Sequence, residues 1–143
     1  MNLTKILQDD GLRDRFLDGG VALIESEVAR KRGLQGMALK AGFRTLKTVR
    51  PGILRAALEM LLPHFAPAVE AHFAAGQERG DVAGYFAGHA SEVAEAMLQV
   101  TDERAKRATN PVLKRTYKTL RGQAHTHTTE AMPGVGRLLA TFV

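Results

Sequence analysis

Nowhere in the chain do β-branched or aromatic residues alternate with polar ones over the span of a half-buried strand. Alanine, leucine and charged residues dominate instead, in segments separated by glycine and proline. Helices are therefore the elements available to it. The breakers fall at Gly19-Gly20, Gly33 to Gly36, Pro51-Gly52, Pro63 to Pro67, Gly76 to Gly80, Asn110-Pro111 and Pro133-Gly134. They predict helices near 2–17, with Gly11 as a candidate break, then 20–31, 36–49, 52–62, 66–75, 81–107, 111–131 and a short piece at 135–141. The best-marked start is Asn110-Pro111, because Asn is a strong N-cap and Pro suits the first helical position. Asp81 is a second cap candidate. The expected fold is all-α, a single-domain bundle of six or seven helices with a long C-terminal antiparallel hairpin. Phe43, Leu46, Phe65, Phe86, Val93, Met97, Tyr117 and Leu120 are expected to share one core.

A chain of 143 residues with 45% hydrophobic content can bury one core without staples. The absence of cysteine excludes disulfides, a thiolate nucleophile and Cys-based metal sites. The start of the chain lacks the apolar core of a secretory signal, since Lys5, Asp9 and Asp10 interrupt it. The run from Met60 to Val69, broken by Pro63 and Pro67, is too short to span a bilayer. A cytoplasmic location is the expectation that follows.

Charge alternates in blocks along the chain. Residues 1–27 hold six acids and three bases, and residues 28–58 hold eight bases and no acid. Residues 59–103 hold eight acids and one base, and residues 104–129 hold seven bases and no acid. Two basic rows stand out. Lys40, Arg44 and Lys47 form a narrow stripe on one helix, whose remaining circumference is largely apolar, a geometry that favours wedging among other helices. Lys114, Lys118 and Arg121 line a face of another, with His125 continuing it. Such rows suit the phosphates of nucleic acid or anionic lipid, unless neighbouring acids compensate them. Few aromatics are present to stack on bases, and no nucleic-acid motif accompanies the rows.

His72, His89 and His127 each fall on an otherwise apolar helical stripe. Imidazoles converging from separate helices would suit a metal or haem, with Glu70, Glu92 or Glu130 as further ligands. There is no Glu-x-x-His or His-Glu-x-x-His pair, so the expectation is buried structural histidines bonded to carbonyls or carboxylates, with no metal or cofactor. Gly84 and Gly88, in "GYFAG", make a candidate groove for close helix packing. Neither Ser26 nor Ser91 sits in a triad context, and no phosphate loop or dinucleotide fingerprint occurs, which points away from an enzyme.

Two segments, "GLQGMALKAGFRTLKTVRPGILRAALEMLLPHFAPAVE" and "VAEAMLQVTDERAKRATNPVLKRTYKTLRGQA", resemble an uncharacterised family of small bacterial proteins, chiefly from actinobacteria and their neighbours. The similarity spans about residues 20–135. The resemblance implies an all-α bacterial cytoplasmic protein and no site residue. Three functional classes stay open: an interaction or scaffold protein, either homodimeric or bound to an acidic partner; a polyanion binder acting through the basic rows; and a helical pocket for an apolar ligand or metal.

Overall fold

The computed structural model describes residues 2–143, and seven helices make up the fold of those residues. They are α1 (Leu3–Gln8), α2 (Asp10–Arg30), α3 (Gly33–Val49), α4 (Ile53–Glu78), α5 (Val82–Gly88), α6 (Ala90–Ala105) and α7 (Pro111–Ala140). Their starts follow side-chain chemistry. The Asn2 side chain accepts from the Lys5 amide, Asp9 from Leu12 and Asp81 from Gly84, while Asn110 accepts from both Val112 and Leu113 ahead of Pro111. The first break thus falls at the Asp9 cap and not at Gly11.

Three expected breaks are absent. Gly19 and Gly20 lie inside α2, where a side chain on either would run into Leu138 or Leu58. Their role is close approach. Pro63 and Pro67 lie inside α4 on its exposed side, while Phe65, Ala66, Val69 and Phe73 are buried on the other. The four-residue spacing keeps both disrupted carbonyl positions toward water, and the buried face holds the helix together across them. Pro133 is likewise contained in α7, where Met132, Gly134 and Gly136 are buried. One unexpected break does occur. The segment expected to run from 81 to 107 bends at His89 (φ −116°, ψ 26°), dividing it into α5 and α6.

The C-terminal hairpin is present and longer than expected. Gly136 lies against Ala83, His125 against Ser91, and Tyr117 against Thr101, so α5 and α6 in succession run antiparallel along α7. The main core gathers at the C-terminal half of α7. Leu3 and Ile6 of α1, Val69 and Phe73 of α4, Phe86 of α5, Val93 of α6, and Met132 and Leu139 of α7 are buried there. The Leu3 amide donates to Glu70 Oε2 at 2.9 Å and fixes α1 on α4.

Of the expected core group, Phe65, Phe86 and Val93 are buried and Met97 packs against the cluster. Phe43, Leu46, Tyr117 and Leu120 are only half-buried. Leu120 belongs to a thinner contact, where α3 lies antiparallel to the N-terminal half of α7 and Gly42 meets it, and Tyr117 faces α6 through Thr101 and Asp102. α3 is therefore peripheral: Gly36 and Leu39 alone of its residues are buried, while Leu34 is 86% and Met37 67% exposed. The apolar flank of α3 lacks enough neighbours to cover it, which the helical wheel could not show.

Candidate ligand cavity and charged faces

Where α1, α2, α4, α5, α6 and α7 meet, the core leaves a cavity of about 130 Å³. Leu3 and Ile6 of α1 close one side, and Phe65, Ala66 and Val69 of α4 form a wall. Phe86, Met97, Leu138 and Leu139 complete the interior. Half-buried Leu7, Leu23, Ile24 and Leu58 mark the side nearest the surface. All seventeen lining residues are apolar or glycine, so no hydrogen-bonding side chain faces the space. Protein interiors are normally packed as densely as organic crystals. A sealed void of about 130 Å³ would cost on the order of 3 kcal/mol at roughly 24 cal/mol per Å³, an upper bound for a space that opens toward solvent beside Leu7, Leu23, Ile24 and Leu58.

The three histidines do not share a site. Tyr85 links two of them: its hydroxyl lies 3.0 Å from His72 Nδ1, and its ring stacks on His89 with centroids 3.9 Å apart. His89 Nδ1 also lies 3.0 Å from the Tyr85 carbonyl oxygen, within the turn that ends α5. His127 stands apart near Lys31 and Glu130, and both its ring nitrogens are buried without a hydrogen-bond partner. Burial, followed by the Lys31 charge, lowers the His127 pKa, against a smaller opposite effect of Glu130. All three histidines are partly buried, with no more than about a third of their surface exposed, but a neighbouring carbonyl or carboxylate was the wrong partner for His72 and His127. A stripe position fixes the face of a histidine, not what stands opposite it. Among the described residues no group of three or more His, Asp or Glu side chains is placed to hold a metal ion.

Gly84 and Gly88 are exposed and line no helix seam. A Cβ at Gly84 would strike only the capping Asp81 carboxylate, and one at Gly88 would meet open space. Close helix packing falls instead on Gly76, against Val82 Cα, and on Gly136, against Ala83 and Phe86. Gly136 has no glycine four residues away, whereas Gly76 and Gly80 in "GQERG" share the spacing of Gly84 and Gly88, so spacing alone does not tell which glycine meets a neighbouring helix.

The basic rows are partly compensated. Lys47 pairs with Glu25 at 2.9 Å, and Arg121 grips Asp102 through Nε at 2.7 Å and Nη2 at 3.0 Å. Arg121 first, and then the Tyr117 hydroxyl at 2.6 Å, hold Asp102 below the usual carboxylate range. Burial, with Asp102 behind it, raises Tyr117. This network ties α6 to α7. Lys31 is bonded to Glu130 and holds that carboxyl low. Among the described residues Lys40, Arg44, Lys114 and Lys118 make no ion pair, and all four are exposed. The rows do not merge. With Gly42 and Leu120 facing each other, Lys40 and Arg44 lie about 160° around α3 from the seam and Lys118 about 160° around α7. They flank opposite edges of the helix pair.

One polar cluster resembles a hydrolytic triad only in composition. Ser91 Oγ is 3.3 Å from His125 Nε2, but Glu95 Oε2 approaches that same nitrogen at 3.9 Å. In a triad the acid holds the opposite nitrogen and so orients the base. No curated protein and no solved structure matches the chain. A family model matches residues 3–143, well beyond the two resembling segments, and the chain belongs to that family of unknown function, DUF6918.

Proposed function

We propose that this protein is a non-catalytic binding module that takes a small apolar molecule, of about benzene size, into the cavity between α4 and the other core helices. The carrying observation is the about 130 Å³ of space lined only by apolar groups at the edge of the main core, bordered by Ile6, Val69, Phe86 and Leu139 inside and by half-buried Leu23, Ile24 and Leu58 outside. Apolar cavities of this order stay dry and accept benzene or xenon, because water finds no partner in them. Against a folding free energy of about 5–15 kcal/mol, an apolar ligand that fills this space and covers its open side adds stability that grows with its affinity. With no polar group in the lining, selection rests on size and shape. Self-association and docking on an acidic partner, the other non-catalytic readings of the sequence, concern exposed surface that does not line this space.

Thermal unfolding with benzene, toluene, cyclohexane and indole near their solubility limits tests the proposal. A ligand at 100 times its Kd should stabilise by about 2.7 kcal/mol. The upward shift should shrink as the solutes outgrow the cavity. No shift with any of the four would remove this reading.

A further inference from the structure

On the opposite side of the molecule's charge distribution from the acidic blocks, α3 and the start of α7 form a face with a different chemistry. The contact of Gly42 with Leu120 sets the rotation of both helices. At about 100° per residue, Leu34, Met37, Ala41 and Thr48 of α3 then project to one side, together with Val112, Arg115 and Thr119 of α7. The rest of the bundle lies on the other side, since Lys47 reaches α2 there through Glu25 and Arg121 reaches α6 through Asp102. Each residue of this outward face is exposed, including Leu34 at 86% and Met37 at 67%.

Charge around the face is of one sign. Among the described residues Arg32, Lys40, Arg44 and Arg50 on and beside α3, and Arg107, Lys114, Arg115 and Lys118 on and before α7, make no ion pair. The other bases of the block at residues 28–58 are compensated: Arg30 by Glu27, Lys31 by Glu27 and Glu130, Lys47 by Glu25, Arg55 by Asp14 and Asp18. Acids thus neutralise the seams and leave the two edges of this face bare.

We propose that the α3–α7 face docks on an anionic lipid surface, with Leu34 and Met37 entering the interface and Lys40, Arg44, Arg115 and Lys118 meeting headgroup phosphates. Apolar side chains ringed by bases suit a bilayer boundary, where phosphate and acyl chain lie within one helix diameter. A nucleic acid would leave Leu34 and Met37 without a partner, and the face offers no exposed aromatic ring for a base to stack on. The inference is independent of the cavity, whose lining includes none of these residues.

Cosedimentation of the whole protein with phosphatidylglycerol and with phosphatidylcholine vesicles, at low and high salt beside a duplex DNA titration, tests it. Binding should be confined to phosphatidylglycerol and fall as salt rises. Lys40→Gln with Arg44→Gln should weaken it about 25-fold, at roughly fivefold per charge. Leu34→Asp with Met37→Asp should weaken it more than tenfold at unchanged melting temperature, because both side chains are exposed. Absence of vesicle binding at low salt overturns the proposal, and so does binding indifferent to the Leu34 and Met37 changes. Equal affinity for duplex DNA would reassign the face to polyanions in general. A lipid-free dimer abolished by L34D/M37D would reassign it to a second copy of the chain.

Discussion

Ala66→Leu puts the cavity to a test in which the sign of the effect decides. Ala66 is 6% exposed and its methyl group borders the space. Leucine adds three carbons, worth up to about 2.4 kcal/mol at roughly 0.8 kcal/mol per buried methylene. Lost rotamer freedom takes back about 1 kcal/mol. The net gain of about 1.5 kcal/mol corresponds to a Tm higher by about 5 °C for a chain of this length. In a filled core the same change forces neighbours aside and costs about 1–3 kcal/mol. Ala94→Leu supplies that comparison, since Ala94 is fully buried but does not line the cavity. Thermal unfolding by circular dichroism should raise Tm for A66L and lower it for A94L, and benzene should no longer shift A66L. A Tm lowered equally in both variants, with the benzene shift intact in A66L, would refute the reasoning.

Other consequences follow from single contacts. The lowered His127 pKa means that the unfolded chain, with its ordinary value of 6.5, takes up the proton more readily than the folded one. The stability linked to neutral His127 is complete above about pH 6.5 and declines as pH falls below it; denaturant midpoints across pH 7 to 5 should show this slope, and His127→Phe should flatten it. Asp102 and Glu130, both lowered, lose their contributions only at more acidic pH, as they protonate. Phe73→Ala should cost about 3–5 kcal/mol in denaturant unfolding, because Phe73 is fully buried, whereas half-buried Leu120→Ala should fall below about 2 kcal/mol. Gly136→Ala should destabilise by about 1–3 kcal/mol despite alanine's better helix propensity, since its Cβ would sit 2.7 Å from Phe86 Cβ and 3.1 Å from Ala83 Cα.

Local chemistry was readable in advance, and meetings between elements were not. Asn110, Pro111 and Asp81 announce helix starts because a cap is satisfied within four residues, and the hairpin follows from two long helices with a short link. The alternating charge blocks left open whether the basic rows would be compensated. The structure compensates Lys47 through Glu25 and Arg121 through Asp102, and leaves Lys40, Arg44, Lys114 and Lys118 without an ion pair among the described residues. Pro63, Pro67 and Pro133 misled, because a proline breaks a helix only when burial on the opposite face does not exceed its cost. The Lys40, Arg44, Lys47 stripe gave the correct face of α3, but the apolar remainder was taken for a buried surface. No pattern along a chain states how many neighbours a helix will have. The cavity was out of reach for the same reason: it is made by six helices failing to fill a space, and each lining residue alone looks like ordinary core.

Glycine was the most misread residue, and its contacts lead to a last prediction that joins packing to the cavity. Gly19 meets Leu138, Gly20 meets Leu58, and Gly134 meets Leu23; each of those three leucines also lines the cavity. A glycine inside α2 or α7 thus lets a leucine lie back against the opposing helix and away from the empty space. In Gly19→Ala the new Cβ would stand 2.6 Å from Leu138 Cδ1, the far end of a flexible side chain with room to move into. Leu138 should turn into the cavity, recovering contacts, while alanine adds helix propensity of up to about 1 kcal/mol. The variant should therefore equal or exceed the parent in Tm, unlike Gly136→Ala, whose neighbours, the Phe86 Cβ and the Ala83 backbone, are held by the chain itself and cannot yield. It should also lose part of the benzene-induced shift, because the displaced leucine occupies the ligand's space. A destabilised Gly19→Ala that retains the full shift would show that the leucines have nowhere to go, and that the cavity is smaller or more rigid than the packing around Gly19 and Leu138 implies.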